Sequence, residues 1–441
     1  MPTTDDLLYA RHIEQRRDQI DTLLSELGFD ALLIHSGRPR NRLFDDQHPP
    51  FRAHGPFVAL VPLPFAADCL LEFRVGRKPR LWYCQPEDFW HSPPAEPAAW
   101  WADHFEIERV GSAAGWRGRF GADRALAAIG DRHDLNDLGE RVALNPRHLL
   151  HALGEARTRK TAWERECLTR ANRRAAAGHL AAADAFRQGA SELDIQLAYL
   201  QAVAQDQDEQ PYHGIVALNE HAAVLHYQHR DAHAPAQSRS FLLDAGADEH
   251  GYASDITRTW TLPQHADFAV LVNEMDALQQ RLCEGLRPGA SFIDLHRQAH
   301  LGVAAILNQS GLVAMDPEDL VESGVSAFFL PHGLGHFLGV QVHDVNGQVD
   351  AEGEPLPPPE RYPFLRLTRV LEPGHVVTVE PGLYFIPMLL ERLRQSEYGR
   401  RVDWSQVEAL KVFGGIRVED NVLVSEADPV NLTRQAFAGL T

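Results

Sequence analysis

"LLDAGADEHGYASDI", residues 242–256, holds the first decision about the fold. A hairpin turn centred on Glu249 and His250 pairs residues whose numbers sum to 499, which sets Asp244 directly across from Asp255. Directly opposed side chains share a face and sit about 5 Å apart. Two aspartates so placed on apolar strands repel each other unless a cation lies between them. The competing reading is a different turn register with both carboxylates in solvent, since sequence fixes register only weakly.

Two further acids interrupt strand-like segments downstream. Glu380 lies in "VVTVEPG" and Glu419 in "GIRVEDNV", each among β-branched residues. A glutamate in a buried strand needs a partner. Glu380, followed by Pro381, could instead sit on an edge strand, and Glu419 could pair with Arg417. Between them, "PHGLGHFLGVQVHDVNG" (331–347) carries His332, His336 and His343. Two histidines four apart can chelate one ion from a helix, but Gly333 stands where a zinc protease would place its glutamate. Glycine costs roughly 1 kcal/mol per helical position, so the stretch with Gly333, Gly335 and Gly339 reads as extended or looped. Spacing alone leaves open which histidine, if any, is a ligand. Four carboxylates and one nitrogen suit a pair of divalent ions of the manganese, cobalt or zinc type. Two such ions can share a bridging hydroxide, a nucleophile available near neutral pH.

Composition sets the frame for such a site. The chain has 441 residues, enough for two domains or three. Lys plus Arg is 42 against 61 for Asp plus Glu, a formal charge of −19, which disfavours nucleic acid or an anionic membrane as partner. Bound divalent cations would neutralise some of that excess. Cys69, Cys84, Cys167 and Cys283 are far apart with no CxxC pair, and read as reduced thiols of a cytoplasmic protein. "MPTTDDLLYARHIEQ" has neither the basic start nor the apolar stretch of a secretory leader, and no run approaches the ~18–20 apolar residues of a membrane span.

The fold class expected is α+β in two domains, 1–159 and 160–441. Residues 1–28 read as an amphipathic helix and 30–37 as a buried strand. Residues 55–63 and 68–84 read as further strands, and 152–161 as a linker. Thr161 and Glu164 have the spacing of a capping box opening a long helix. Beyond it the pattern doubles. Helices at about 161–187 and 191–208 lead into strands at 213–218 and 240–262. Helices at about 266–287 and 291–309 lead into strands at 369–385 and 412–424. Each half is a helix pair followed by strands, an internal pseudo-repeat. "EPLPPPERYPFL" (354–365) reads as a stiff loop.

The segments "LLDAGADEHGYASDITRTW", "PHGLGHFLGVQVHDV", "VVTVEPGLYF" and "GIRVEDNVLV", supported by "ALNEHAAVLHY" (217–227), occur in this order from about residue 160 onward. Together they resemble the metal-dependent peptidases of the pita-bread fold. Within them they are similar to the bacterial Xaa-Pro dipeptidases, or prolidases, whose relatives include organophosphorus acid anhydrolases. "SGRPRNRLFDDQHPPFRAHGPF" (36–57) resembles the dipeptidase branch as well. The resemblance implies Asp244, Asp255, His336, Glu380 and Glu419 as ligands of two divalent ions, manganese ahead of cobalt or zinc, with Asp255 and Glu419 bridging. It implies that His226, His332 and His343 line the pocket and donate to the carbonyl oxygen as it becomes an oxyanion, and that Glu380 shuttles the proton. Tyr212 and Asp45 would contact substrate, the loop of Phe44 and Asp45 reaching the neighbouring subunit's site in a homodimer.

Arg417 adds a physical argument. It lies two residues before Glu419, so on a strand both side chains face one way. A guanidinium beside the metals could clamp a free carboxylate bidentately, as a dipeptidase needs; the alternative is a supporting partner of Glu419. The activity expected is hydrolysis of Xaa-Pro dipeptides, small-molecule chemistry with no nucleic acid or membrane partner, with organophosphorus esters as a side activity. Rival readings are an aminopeptidase P acting on longer Xaa-Pro peptides and a non-catalytic binding protein on the same fold. A metal-free creatinase-type enzyme fits the intact ligand set poorly, and no G-x-S-x-G supports a serine hydrolase.

Overall fold

The computed structural model describes residues 3–92, 94–120, 125–139 and 142–440. It forms two compact units, Met1–Cys167 and Leu168–Thr441. Among the described residues, no helix is long and apolar enough to cross a membrane.

The first unit opens on the helix Thr4–Leu27, residues 1 and 2 of the expected helix lying outside the described ones. Thr3 and Asp6 close a capping box at its start, and Gly28, at φ 70°, ends it. The strands β1 (Ala31–His35), β2 (Leu70–Phe73), β3 (Arg80–Cys84), β4 (Glu106–Val110), β5 (Leu126–Ile129) and β6 (Val142–Leu144) form one sheet in the order β4-β3-β2-β1-β5-β6. β1 runs antiparallel to β2 and parallel to β5. Leu32, Leu33 and Ile34 are fully buried, as expected of a strand covered on both faces.

Two expectations fail in this unit. Residues 55–63 are not a strand: Gly55–Val58 is one helical turn with Pro56 at its start. A short buried apolar run fits either state, and proline preset for a first helical turn decides it. The expected linker at 152–161 is mostly helix, Arg147–Thr158. The capping box at Thr161 forms, the Thr161 N–H donating to Glu164 (2.7 Å) and the Glu164 N–H to the Thr161 hydroxyl (3.3 Å). Glu164 also receives Arg16 from the first helix.

In the second unit the helices Ala162–Arg187 and Glu192–Val203 precede β7 (Ile215–Leu218), β8 (Ser240–Asp244), β9 (Asp248–Glu249), β10 (Tyr252–Ala253) and β11 (Thr257–Thr261). The helices Ala266–Glu284 and Phe292–Gln309 precede β12 (Val376–Val379), β13 (Gly382–Tyr384), β14 (Gly415–Arg417), β15 (Asp420–Leu423) and β16 (Val430–Asn431). The doubled order of helix pair and strands is therefore present. β8 is central in the sheet β11-β8-β7 and β15 in β12-β15-β16, while β13 pairs with β14. An antiparallel bridge between Thr257 and Glu419 joins the two halves. A large apolar core runs from Phe268 to Val424, including Met275, Phe292, Phe337 and Val377.

Candidate metal centre

The hairpin of residues 242–256 turns one residue later than its sequence suggested. Glu249 faces Tyr252, so the turn is His250–Gly251, with φ of 53° and 90°. Positive φ at both central residues is the type I′ turn that matches strand twist. Along the same register Asp244 faces Thr257. The expected direct opposition of Asp244 and Asp255 is therefore wrong by two positions. An even offset keeps both on one face of the ribbon, and Gly251, permissive at positive φ, is the signal that fixes the turn.

The glutamates arise differently. β12 pairs Val379 with Asp420 and β13 pairs Gly382 with Arg417, so one register sets Glu380 across from Glu419 at the gap between the two ladders. Like charges directly opposed are unfavourable, and the ladder is broken at that step.

Segment 331–347 is extended and looped, without helix. Gly335 explains why: a Cβ there would lie 2.1 Å from the Thr378 carbonyl oxygen. That approach lets the His336 N–H reach the Thr378 hydroxyl (3.1 Å) and the Thr378 N–H reach the His336 carbonyl (3.0 Å). The His336 ring places Nδ1 2.9 Å from the Phe337 carbonyl, so Nδ1 carries a proton and Nε2 is the atom turned to the carboxylates, protonated when it faces Asp255 alone and free to offer its lone pair to a bound ion. Nε2 lies 3.4 Å from Asp255 Oδ2 and 3.8 Å from Glu380 Oε1. Ligand atoms of Asp255, His336 and Glu419 all fall within 4.8 Å of one another.

Asp244 accepts from the Tyr212 hydroxyl (2.8 Å) and from Arg417 Nη2 (2.6 Å). Glu419 Oε2 accepts from the Thr257 hydroxyl (2.7 Å), while its Oε1 is buried with no hydrogen-bond partner. Burial pushes the Glu419 carboxyl well above its ordinary range, and Asp255 and Glu380 push further. Burial likewise raises Glu380, to about 7, against the pull of His336 and Arg417. Asp244 is raised by burial, opposed by Arg417. Asp255 differs: burial raises it, but the hydrogen bond and charge of His336 outweigh that and hold it low. Four carboxylates, Asp255 and Glu419 buried and Asp244 and Glu380 half-buried, beside one imidazole and with a buried carboxylate oxygen left without a donor, have the composition that divalent cations require.

His332 sits beside this set, Nδ1 3.7 Å from Glu380 Oε2. Its Nδ1 also meets the Gly333 carbonyl (2.8 Å) and its Nε2 the Tyr384 hydroxyl (2.8 Å), which accepts from Arg417 Nη1 (2.8 Å). The His343 ring rests edge-on against His336, centroids 4.4 Å apart. His226 is exposed, close enough for its charge to act on His332 and His343. Arg417 is buried and spends Nε on the Thr257 hydroxyl (3.1 Å), so Arg417 and Glu419 meet on one side chain, as two residues facing one way should. Its ion pair is with Asp244 rather than Glu419. Asp45 belongs to the first unit, on an exposed turn beside fully exposed Phe44, its carboxylate accepting from the Gln47 N–H (3.1 Å).

Sequence reasoning missed Thr257 and Tyr384. Thr257 lies two residues after Asp255 and Tyr384 four after Glu380, spacings that share a strand face with an acid.

The model of Metallopeptidase family M24 matches residues 166–426, and that of the Xaa-Pro dipeptidase N-terminal domain matches residues 7–154. The chain is 46% identical over 437 residues to an Xaa-Pro dipeptidase of Marinobacter nauticus, covering 99% of this chain and 100% of that protein. It is 43% identical over 432 residues to an Xaa-Pro dipeptidase of Stenotrophomonas maltophilia, covering 98% and 97%. An aminopeptidase P structure from E. coli with the inhibitor Pro-Leu superposes with a TM-score of 0.75 at 21% identity, covering 97% and 95%. An aminopeptidase structure from Pseudomonas aeruginosa gives 0.74 at 22%, covering 100% and 98%. The second unit thus has the two-halved α+β fold of those peptidases.

Proposed function

The chain belongs to metallopeptidase family M24, and from that premise we propose that it hydrolyses Xaa-Pro dipeptides at a centre for two divalent ions held by Asp244, Asp255, His336, Glu380 and Glu419. The observation that carries the reading is Glu419: a buried carboxylate with one oxygen on Thr257 and the other without a partner, among acids that repel it. When bound, two such ions supply positive charge that makes a water nucleophilic near neutral pH and polarises the scissile carbonyl.

The chain's own groups do the rest. Glu380, between His336 and His332, takes the proton from the attacking water and passes it to the proline nitrogen. That nitrogen leaves only as the protonated amine, so the transfer is required for bond cleavage. His226 and His343, whose ring nitrogens have no hydrogen-bond partner among the described residues, donate to the developing oxyanion. His332 holds Tyr384, which in turn steadies Arg417. Arg417 orients Asp244 and, through the N–H bonds left after Asp244, Tyr384 and Thr257, meets the substrate carboxylate. Tyr212 and a partner subunit's loop at Asp45 complete the pocket of a cytoplasmic, manganese-loaded homodimer. In it residues 1–159 serve dimerisation and the pocket loop, and 160–441 catalysis.

The test is turnover of an Xaa-Pro series with added Mn²⁺. Free Xaa-Pro dipeptides should be cleaved well and Xaa-Pro-Xaa tripeptides poorly; equal cleavage of tripeptides would move the assignment to an aminopeptidase P.

A further inference from the structure

Asp255 stands outside the regular ladders, yet both of its main-chain polar groups are satisfied by a single side chain. The Asp255 N–H donates to Asn421 Oδ1 (3.0 Å), and Asn421 Nδ2 donates to the Asp255 carbonyl (2.5 Å). The bridge between Thr257 and Glu419, in which the Glu419 N–H donates to the Thr257 carbonyl (3.0 Å), sets the register of the two halves. Two steps further along that register, Asp255 would face Asn421 main chain to main chain. β15 has turned away there to pair with β12 and β16, and the Asn421 N–H is spent on the Thr433 hydroxyl (2.9 Å). The carboxamide takes the place of the missing peptide unit.

We propose that Asn421 is the positioning residue of the metal centre: it clamps the Asp255 backbone across the seam between the two halves, and so fixes where the Asp255 carboxylate points. The inference rests on the metal-centre reading given above. A carboxamide alone offers a donor and an acceptor at the spacing of a peptide group; aspartate lacks the donor, and leucine, of the same shape, lacks both. The clamp is itself anchored. Thr433 donates to Asn172 Oδ1 (2.7 Å), and Asn172 Nδ2 donates to the Leu168 carbonyl (2.9 Å). Asn421, Thr433 and Asn172 are all fully buried, so no water competes for these bonds. Asp255 is thereby tied through the second half to the helix Ala162–Arg187, which belongs to the first.

The test is calorimetric titration of Mn²⁺ and Co²⁺ into metal-stripped protein, with thermal melts of each stripped variant. Asn421→Leu should weaken ion affinity by roughly 10–100-fold, as supporting hydrogen bonds to metal ligands do, and saturating Mn²⁺ should restore turnover towards wild type. Wild-type affinity in folded Asn421→Leu overturns the proposal, as does a turnover loss that Mn²⁺ does not recover, which marks a merely loosened fold. Should Asn421→Leu not fold, Thr433→Val decides: it keeps the clamp but removes its anchor, and must weaken affinity several-fold, whereas wild-type binding overturns the idea. Failure of the wild type itself to take up either ion is a different result, which sinks the metal centre rather than the clamp.

Discussion

The two halves of the second unit bring their acid pairs together by opposite means. In the first half one register runs through a type I′ turn, with the ladder interrupted at residues 245–247 and 254–256, and the aspartates sit two positions out of register. In the second half the glutamates fall directly opposite each other, and the ladder breaks between β12 and β13 and between β14 and β15 to admit them. The electrostatics differ accordingly. At Asp255 the hydrogen bond and charge of His336 outweigh burial and hold the carboxyl low; at Glu419 burial drives it up and the acids beside it push further. Glu419 is thus the acid that most demands a cation, while Asp255 is a carboxylate already held in place by His336 and Asn421.

The largest effect should come from removing a bridging charge. Glu419→Gln or Asp255→Asn should cost about 3–5 kcal/mol of ion binding, the penalty for leaving buried charge uncompensated, with turnover lost alongside it. In metal-free protein the two should part company. Glu419→Gln keeps its acceptor for Thr257 and relieves the opposed pair, so its melting temperature should rise, by up to about 1 kcal/mol of stability. Asp255→Asn loses the His336 partner and should melt lower. Calorimetry of the stripped variants reads the sign directly, and equal signs would break the contrast between the halves.

Next in size, His336→Ala should lose one ion per chain, while His332→Ala keeps both and loses rate. Metal analysis of purified variants separates them; equal metal loss would mean the histidines are wrongly assigned.

Arg417 comes third, because it touches both halves through Asp244 and Tyr384. Amidating the C-terminus of an Xaa-Pro dipeptide should cost wild type roughly 2–4 kcal/mol in kcat/KM, about as much as Arg417→Ala costs on the free acid. Combining the two changes should cost little more than either alone. Additive penalties would show that Arg417 serves Asp244 and not the substrate.

The smallest effect tests the turn. Gly251→Ala places a side chain at φ 90° and should lower thermal stability by about 1–2 kcal/mol, with ion affinity unchanged in the folded protein, since the aspartates are set by the ladder beyond it. A loss of affinity instead would mean that the turn, rather than the strands, fixes the aspartate spacing.

Much of this was legible from residues alone. The four candidate carboxylates, the doubled order of helix pair and strands, the capping box at Thr161 and the extended course of "PHGLGHFLG" all rest on local chemistry: acids in apolar strands, N-cap spacing, glycine's poor helix propensity; the choice of His336 among three histidines came only from the family resemblance. What escaped was set by tertiary geometry. The turn register depended on which residue could adopt positive φ, and His250 did so beside Gly251. Residues 55–63 had strand-like apolarity but a proline where a helical turn starts. The opposition of Glu380 and Glu419 involves strands 39 residues apart, and the attachment of Arg417 to Asp244 joins the two halves; no local pattern carries such pairings.

The central claim is that four carboxylates and His336 together hold two ions, and its most direct test is ion stoichiometry. Titration of metal-stripped protein with Mn²⁺, followed by calorimetry and checked by elemental analysis, should give two ions per chain. In Glu419→Gln the same titration should give at most one at comparable concentration. A wild type that saturates with a single ion, or a Glu419→Gln variant that still takes up two with unchanged affinity, would contradict the two-ion centre.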